Sequence, residues 1–148
     1  ESGRARALLE GRDVRFVENP DFASGLSSSL ACGLRALPDD VDGAVVLLGD
    51  MPRIAGRTID RLIAAFNPTE GRAICVPTYG GKRGNPVLWS RRFFAEMEAL
   101  AGDVGAKHLI GDYADLVAAG AMPDDAVLAG IDPAEALAAA RRQARRPA

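Results

Sequence analysis

Hydrophobic positions along this chain follow two rhythms, short unbroken apolar runs and stripes that recur every three to four residues. The runs predict strands, and the stripes predict helices lying on them. The clearest run is Ala44-Val45-Val46-Leu47-Leu48, five apolar residues in succession, which suits a central parallel strand buried on both faces. Val14 to Val17 reads as a short strand fed by the last turns of a helix, Ala5 to Leu9. Leu26, Leu30, Leu34 and Leu37 share one helical stripe that Pro38 ends. Ile59, Leu62, Ile63 and Phe66 form a second stripe. Ala73 to Pro77 and Pro86 to Trp89 read as two strands of a hairpin around Tyr79-Gly80-Gly81-Lys82-Arg83-Gly84. Phe93, Phe94, Met97 and Leu100 predict a third helix, and Val104 to Tyr113 a fourth. A last strand is expected near Ala126 to Ala129, ahead of Asp132-Pro133-Ala134-Glu135. That segment has an N-cap residue, a proline in the first turn and a glutamate three residues on, so it opens a final alanine-rich helix.

Runs alternating with stripes predict an α/β architecture, a mostly parallel sheet covered on both faces. Neither a repeat nor a linker interrupts it, so one domain is expected across the 148 residues. A chain of this size closes a core without disulfide or metal. The 48% hydrophobic and 26% charged fractions are ordinary for a globular domain. A net charge of −2 lacks the basic footprint of a general nucleic-acid binder, so no nucleic acid is expected as partner. No apolar run approaches the roughly 18–20 residues that span a bilayer, and Glu-Ser-Gly-Arg-Ala-Arg is no signal peptide. A cytoplasmic location follows as an expectation, with no membrane partner. Cys32 and Cys75 lie in apolar stretches without a CxxC spacing, and each is expected as a buried free thiol. His108, between Ala106 and Leu109, reads as helix packing or surface.

Ligands of open α/β sheets bind at the carboxyl ends of the strands, which directs attention to Gly49-Asp50-Met51-Pro52. A carboxylate there suits a divalent cation shared with phosphate oxygens, since magnesium takes one or two protein carboxylates and completes its shell with water and phosphate. Capping of the following turn is the alternative for Asp50. Asp132 holds the corresponding place after the last expected strand, with helix capping as its alternative. Gly25-Leu26-Ser27-Ser28-Ser29 opens a helix, where free backbone N–H groups and hydroxyls attract anions or cap the helix alone. Lys82 and Arg83 in the hairpin could meet a phosphate or simply face water.

Five segments in order, Asn19-Pro20, Gly25 to Leu30, Leu47 to Pro52, Arg83-Gly84-Asn85-Pro86-Val87-Leu88 and Gly102-Asp103-Val104-Gly105-Ala106, resemble the MobA-like nucleotidyltransferases. The resemblance is to their molybdenum cofactor cytidylyltransferase branch. Gly-Leu-Ser-Ser-Ser-Leu is similar to the cytidylyltransferases, whereas guanylyltransferases tend to a Gly-Pro-Leu-Ala-Gly type of segment. The resemblance implies a Rossmann-like, GT-A type three-layer fold on which CTP and molybdopterin meet, with transfer of CMP and release of pyrophosphate. It implies Asp50 as the main magnesium ligand and catalytic carboxylate, with Asp132 as the second ligand. Gly25, Ser27, Ser28 and Ser29 would line the nucleotide pocket, and Gly84, Asn85, Pro86 and Asp103 the pterin side. Ile131-Asp132-Pro133-Ala134-Glu135-Ala136 departs from the family's Ile-Asp-Thr-Pro-Glu-Asp. The family's glycine-rich triphosphate loop, of the type LAAGxSxRMGxxK, has no counterpart here. Residues 1–148 are therefore expected to be the C-terminal portion of one such domain, without its N-terminal βαβ unit, and inactive alone. A non-catalytic molybdenum-cofactor or chaperone module serving a molybdoenzyme is the alternative. Another is transfer from GTP or to another phosphorylated substrate.

Overall fold

The computed structural model describes residues 11–12, 14–20, 26–49, 51–100 and 106–128. Their helices are α1 (Leu26–Arg35), α2 (Gly56–Ala65), α3 (Phe94–Glu98) and α4 (Lys107–Asp112). Their strands are β1 (Gly43–Val46), β2 (Ile74–Tyr79), β3 (Lys82–Arg83), β4 (Val87–Ser90) and β5 (Val117–Ala121). They group into two compact units, one from residues 1–41 and 92–109, the other from 42–91 and 110–148.

The larger unit holds the sheet. β4 lies antiparallel between β1 and β2, and β5 joins the other edge of β2 in parallel. β1, β2 and β5 therefore share one direction, and β4 with the short β3 runs against them. The expected α/β class holds, with the hairpin as its antiparallel insertion. That hairpin pairs Cys75 with Leu88 and Thr78 with Arg83, which leaves two residues of β2 (76 and 77) opposite four (84 to 87) on the returning strand. The surplus is a bulge, which bends the strand and frees the 84–86 segment from the ladder.

Three consecutive residues of β2, Ile74, Cys75 and Val76, are 0% exposed, which requires cover on both faces. The central position expected of Ala44 to Leu48 thus belongs to β2. β1 stops at Val46, its residues are half-buried, and Leu47 is exposed. Among the described residues β1 has one neighbour, β4. Helix α2 buries Leu62 against Cys75, Leu88, Met122 and Val127, with Val45, Ile54 and Phe66 closing the cluster. Ile63 of the same predicted stripe faces solvent, while Leu62 beside it is buried.

Three further expectations are corrected. Among the described residues the last strand is β5, and 125–128, most of the segment expected as a strand, form a 3₁₀ turn. The Asp124 carboxylate accepts the Ala126 N–H at 2.9 Å, which closes a turn where the apolar run read as extended. Residues 14–17 form no strand among the described residues; Val14, Phe16 and Val17 are exposed. Arg15 instead donates to the Ala36 carbonyl at 2.8 Å, just past the end of α1. The described part of the fourth helix is confined to α4, and the Ala5 to Leu9 helix lies outside the described residues.

In the smaller unit α1 packs on α3. Ala31 and Leu34 are buried on the first, Phe94 and Met97 on the second, and Phe93 just before it. Arg35 and Glu98 approach to 3.9 Å at the surface. No described helix is long and apolar enough to cross a membrane.

Leu62→Ala should cost about 2–5 kcal/mol in urea unfolding, because it opens a cavity in the cluster on β2. Ile63→Ala on the exposed side of the same helix should stay within about 0.5 kcal/mol of the parent.

Candidate active site

Because β1, β2 and β5 point the same way, their carboxyl ends lie along one edge of the sheet, where α/β folds bind ligands. β4 begins at that edge. Val46, the last residue of β1, pairs with Val87, the first of β4, so the chain leaves β1 beside the point where it enters β4. Residues 122–128, leaving β5, arrive at the same edge, since the Met122 N–H donates to the Thr78 carbonyl at 2.8 Å.

These three segments are tied to one another. The Gly84 N–H donates to the Pro77 carbonyl at 2.8 Å, and the Asn85 N–H to the Val127 carbonyl at 2.9 Å. A Cβ on Gly84 would run into that same Val127 carbonyl, so only glycine lets the 3₁₀ turn sit so close. The Asn85–Pro86 bond is cis and Pro86 is fully buried. On the other side Met51 is buried, and Arg53 reaches Asp125 at 2.8 Å. The Arg53 guanidinium, bonded to that carboxylate, holds the Asp125 carboxyl below the usual range. Gly49 is open: a Cβ there would meet nothing within 4 Å.

The serine run lies in the smaller unit. Ser27 is buried at the start of α1, and Asn19 donates from its side-chain amide to Ser28 Oγ at 2.9 Å and Ser29 Oγ at 3.0 Å. Two segments of the family resemblance, Asn19-Pro20 and the serines, are therefore one hydrogen-bonded cluster. Cys32 donates from Sγ to the Glu18 carbonyl at 3.4 Å and is only half-buried, a correction to its expected burial. Cys75 is a buried free thiol, and burial pushes its pKa up against the pull of Arg72. That direction suits packing and not nucleophilic chemistry. His108 is exposed on α4.

Gly25, Asp50, Asp103 and Asp132 lie outside the described residues. The strand expected just before Asp132 is replaced by the 125–128 turn. Among the described residues no group of three or more His, Cys, Asp or Glu could hold a metal ion. Sequence reasoning assigned no role to Arg53, Asp125 or Val127. Arg53 and Asp125 stand 72 positions apart, and no local pattern joins them. Asn19 sat within a recognised motif, which was the one signal available for it.

The family described as the MobA-like NTP transferase domain matches residues 2–117. A solved structure of Rv0371c from Mycobacterium tuberculosis H37Rv is 30% identical, with a TM-score of 0.64 over 82% of this chain and 61% of that one. Its manganese complex gives the same identity and TM-score, with 63% of that chain covered. An Rv0371c homologue from Mycobacterium sp. strain JC1 is 28% identical, with a TM-score of 0.64, over 82% of this chain and 60% of its own. The bifunctional protein GlmU of Mycobacterium leprae (strain Br4923) is 37% identical over 67 residues, 45% of this chain and 13% of that protein. The chain thus spans about three fifths of these solved structures and a small part of GlmU.

Gly84→Ala should destabilise the protein by about 1–3 kcal/mol in denaturant unfolding, because the Val127 backbone must move. Gly33→Ala, in α1 with open space around it, should stabilise by about 0.5–1 kcal/mol. An NMR titration of the Asp125 carboxyl should give a midpoint below the ~3.9 of a free aspartate, and Arg53→Ala should raise it. The stability held by this depressed carboxyl is present above the unfolded value and is lost as pH falls through the folded one.

Proposed function

This chain belongs to the MobA-like NTP transferase domain family, and we propose from that membership that it serves CMP transfer from CTP to molybdopterin. The observation that carries the reading is the pairing of Val46 with Val87, which sets the exit of β1 and the entrance of β4 side by side at the carboxyl edge of one sheet, where two segments of the resemblance begin and end. A terminal phosphate oxygen of molybdopterin attacks the α-phosphorus of CTP. The bond from that phosphorus to the bridging oxygen breaks, and pyrophosphate leaves with the electron pair. Little covalent work falls to the protein, so its part is to hold two phosphorylated molecules in line and to stabilise the charge that develops.

Within this reading Gly25 and Ser27 to Ser29 line the nucleotide side. Asn19, bonded to Ser28 and Ser29, fixes where their hydroxyls stand. Gly84, Asn85 and Pro86 form an acceptor wall that the tie of Asn85 to Val127 keeps rigid before the substrate arrives, and the resemblance implies an acceptor role for Asp103 too. Asp50 is the carboxylate for a divalent ion and Asp132 the second ligand. The open space at Gly49 is compatible with a hydrated ion and its phosphates beside Asp50, and the hard oxygen donors suit magnesium. When bound, such an ion supplies neutralisation of phosphate charge. The manganese complex of Rv0371c favours a divalent ion in the family. Two cysteines held as free thiols accord with a reducing, cytoplasmic place of action. A molybdoenzyme that receives the product is the implied partner.

The test is pyrophosphate release by the protein that carries this chain, with CTP or GTP, molybdopterin and magnesium. Asp50→Asn should lower release by about two orders of magnitude or more and leave the melting temperature nearly unchanged. Unaltered turnover in that variant would remove Asp50 from the reaction. A preference for GTP would overturn the cytidine assignment.

A further inference from the structure

We propose that Arg53, acting through Asp125, is a positioning residue for the acceptor. It holds the 84–86 loop in register with the loop that carries Asp50. The inference rests on the nucleotidyl-transfer reading and adds a residue that reading does not use.

Arg53 follows Pro52 directly, three positions after Asp50, on the chain that leaves β1. Its guanidinium ends 2.8 Å from the Asp125 carboxylate, at the first residue of the 125–128 turn. That turn is closed internally by Asp124, whose carboxylate accepts the Ala126 N–H. It is anchored in the core by Val127, which is 1% exposed. The Val127 carbonyl then accepts the Asn85 N–H and abuts Gly84. One short turn is thus gripped from two sides. The side chain of Arg53 comes from one loop of the edge, and the backbone of Asn85 comes from the other. Ile54, next to Arg53, packs on the same cluster as Val127 and Leu88, so the two loops also share a floor.

An exposed ion pair adds little to global stability, so removing it leaves the fold in place. Its effect is local, on the spacing between two substrate loops, where misplacement by about 1 Å can cost roughly a hundredfold in rate. The chemistry also defines the remedy. Lysine can replace the charge but not the planar fork, and exchanging the two charges can rebuild the tie.

The experiment compares the parent with Arg53→Ala, Arg53→Lys, Asp125→Asn and the double variant Arg53→Asp with Asp125→Arg. Backbone amide exchange is read at Asn85 and Val127, and KM and kcat are measured separately for molybdopterin and CTP. Arg53→Ala and Asp125→Asn should each speed exchange at Asn85 by about tenfold. They should raise the molybdopterin KM by about tenfold or more and leave the CTP KM nearly unchanged. Arg53→Lys should fall between the parent and Arg53→Ala, and the double exchange should return both readouts toward the parent. Unchanged exchange at Asn85, or a double variant no better than the single ones, would overturn the tie. Equal rises in both KM values would overturn its assignment to the acceptor. A parent protein that shows the exchange response and transfers nothing would overturn the functional reading while keeping the tie.

Discussion

The insertion of β4 between β1 and β2 is the constraint on which the rest of the molecule depends. Because β4 runs against its neighbours, its first residue stands beside the last residue of β1. A loop that leaves one strand and a loop that enters the next are thereby forced together, although 41 positions separate Val46 from Val87. A purely parallel sheet would place only strand exits at that edge. The antiparallel strand adds an entrance, and with it the glycine-asparagine-proline segment that closes the candidate site.

Packing secures this register. β2 is buried along most of its length, and the cluster of Leu62, Cys75, Leu88, Met122 and Val127 draws on α2, two strands and the chain beyond β5. A shift of β4 by one residue would turn Leu88 out of that cluster and Val87 into it, which makes the register a property of the core. The bulge at 84–86 is where the ladder yields. It lets Gly84 lie against the Val127 carbonyl without breaking the pairs at either end.

Much of this was legible from the residues. The hairpin, the α1 stripe and the α2 stripe were all written in local periodicity, and the Arg83 to Leu88 motif marked the entrance of β4 that the fold sets beside the exit of β1. β5 was not legible, because Val117-Ala118-Ala119-Gly120-Ala121 is small and lacks both alternation and bulk, so its strand character comes from pairing with β2 alone. The segment 126–129 misled for the opposite reason. It is apolar, yet Asp124 captures the Ala126 N–H and winds it into a turn. Exposed Val14 and Val17 show a third kind of failure, a short stretch with strand-forming residues that has no described strand to pair with. Contacts between distant positions, Arg53 with Asp125 and Asn19 with the serines, depend on tertiary placement and leave no periodic trace.

The proposed reaction requires that a metal-bound nucleotide sit at the carboxyl edge beside β1 and β4. Paramagnetic broadening by Mn²⁺ with CTP, read on backbone amides, tests it without any turnover. Gly49, Met51 and Asn85 should lose intensity first, at manganese levels well below those that affect the opposite end of the sheet. Broadening that begins at Gly43 and Ile74, or that reaches all of these residues together, would contradict it.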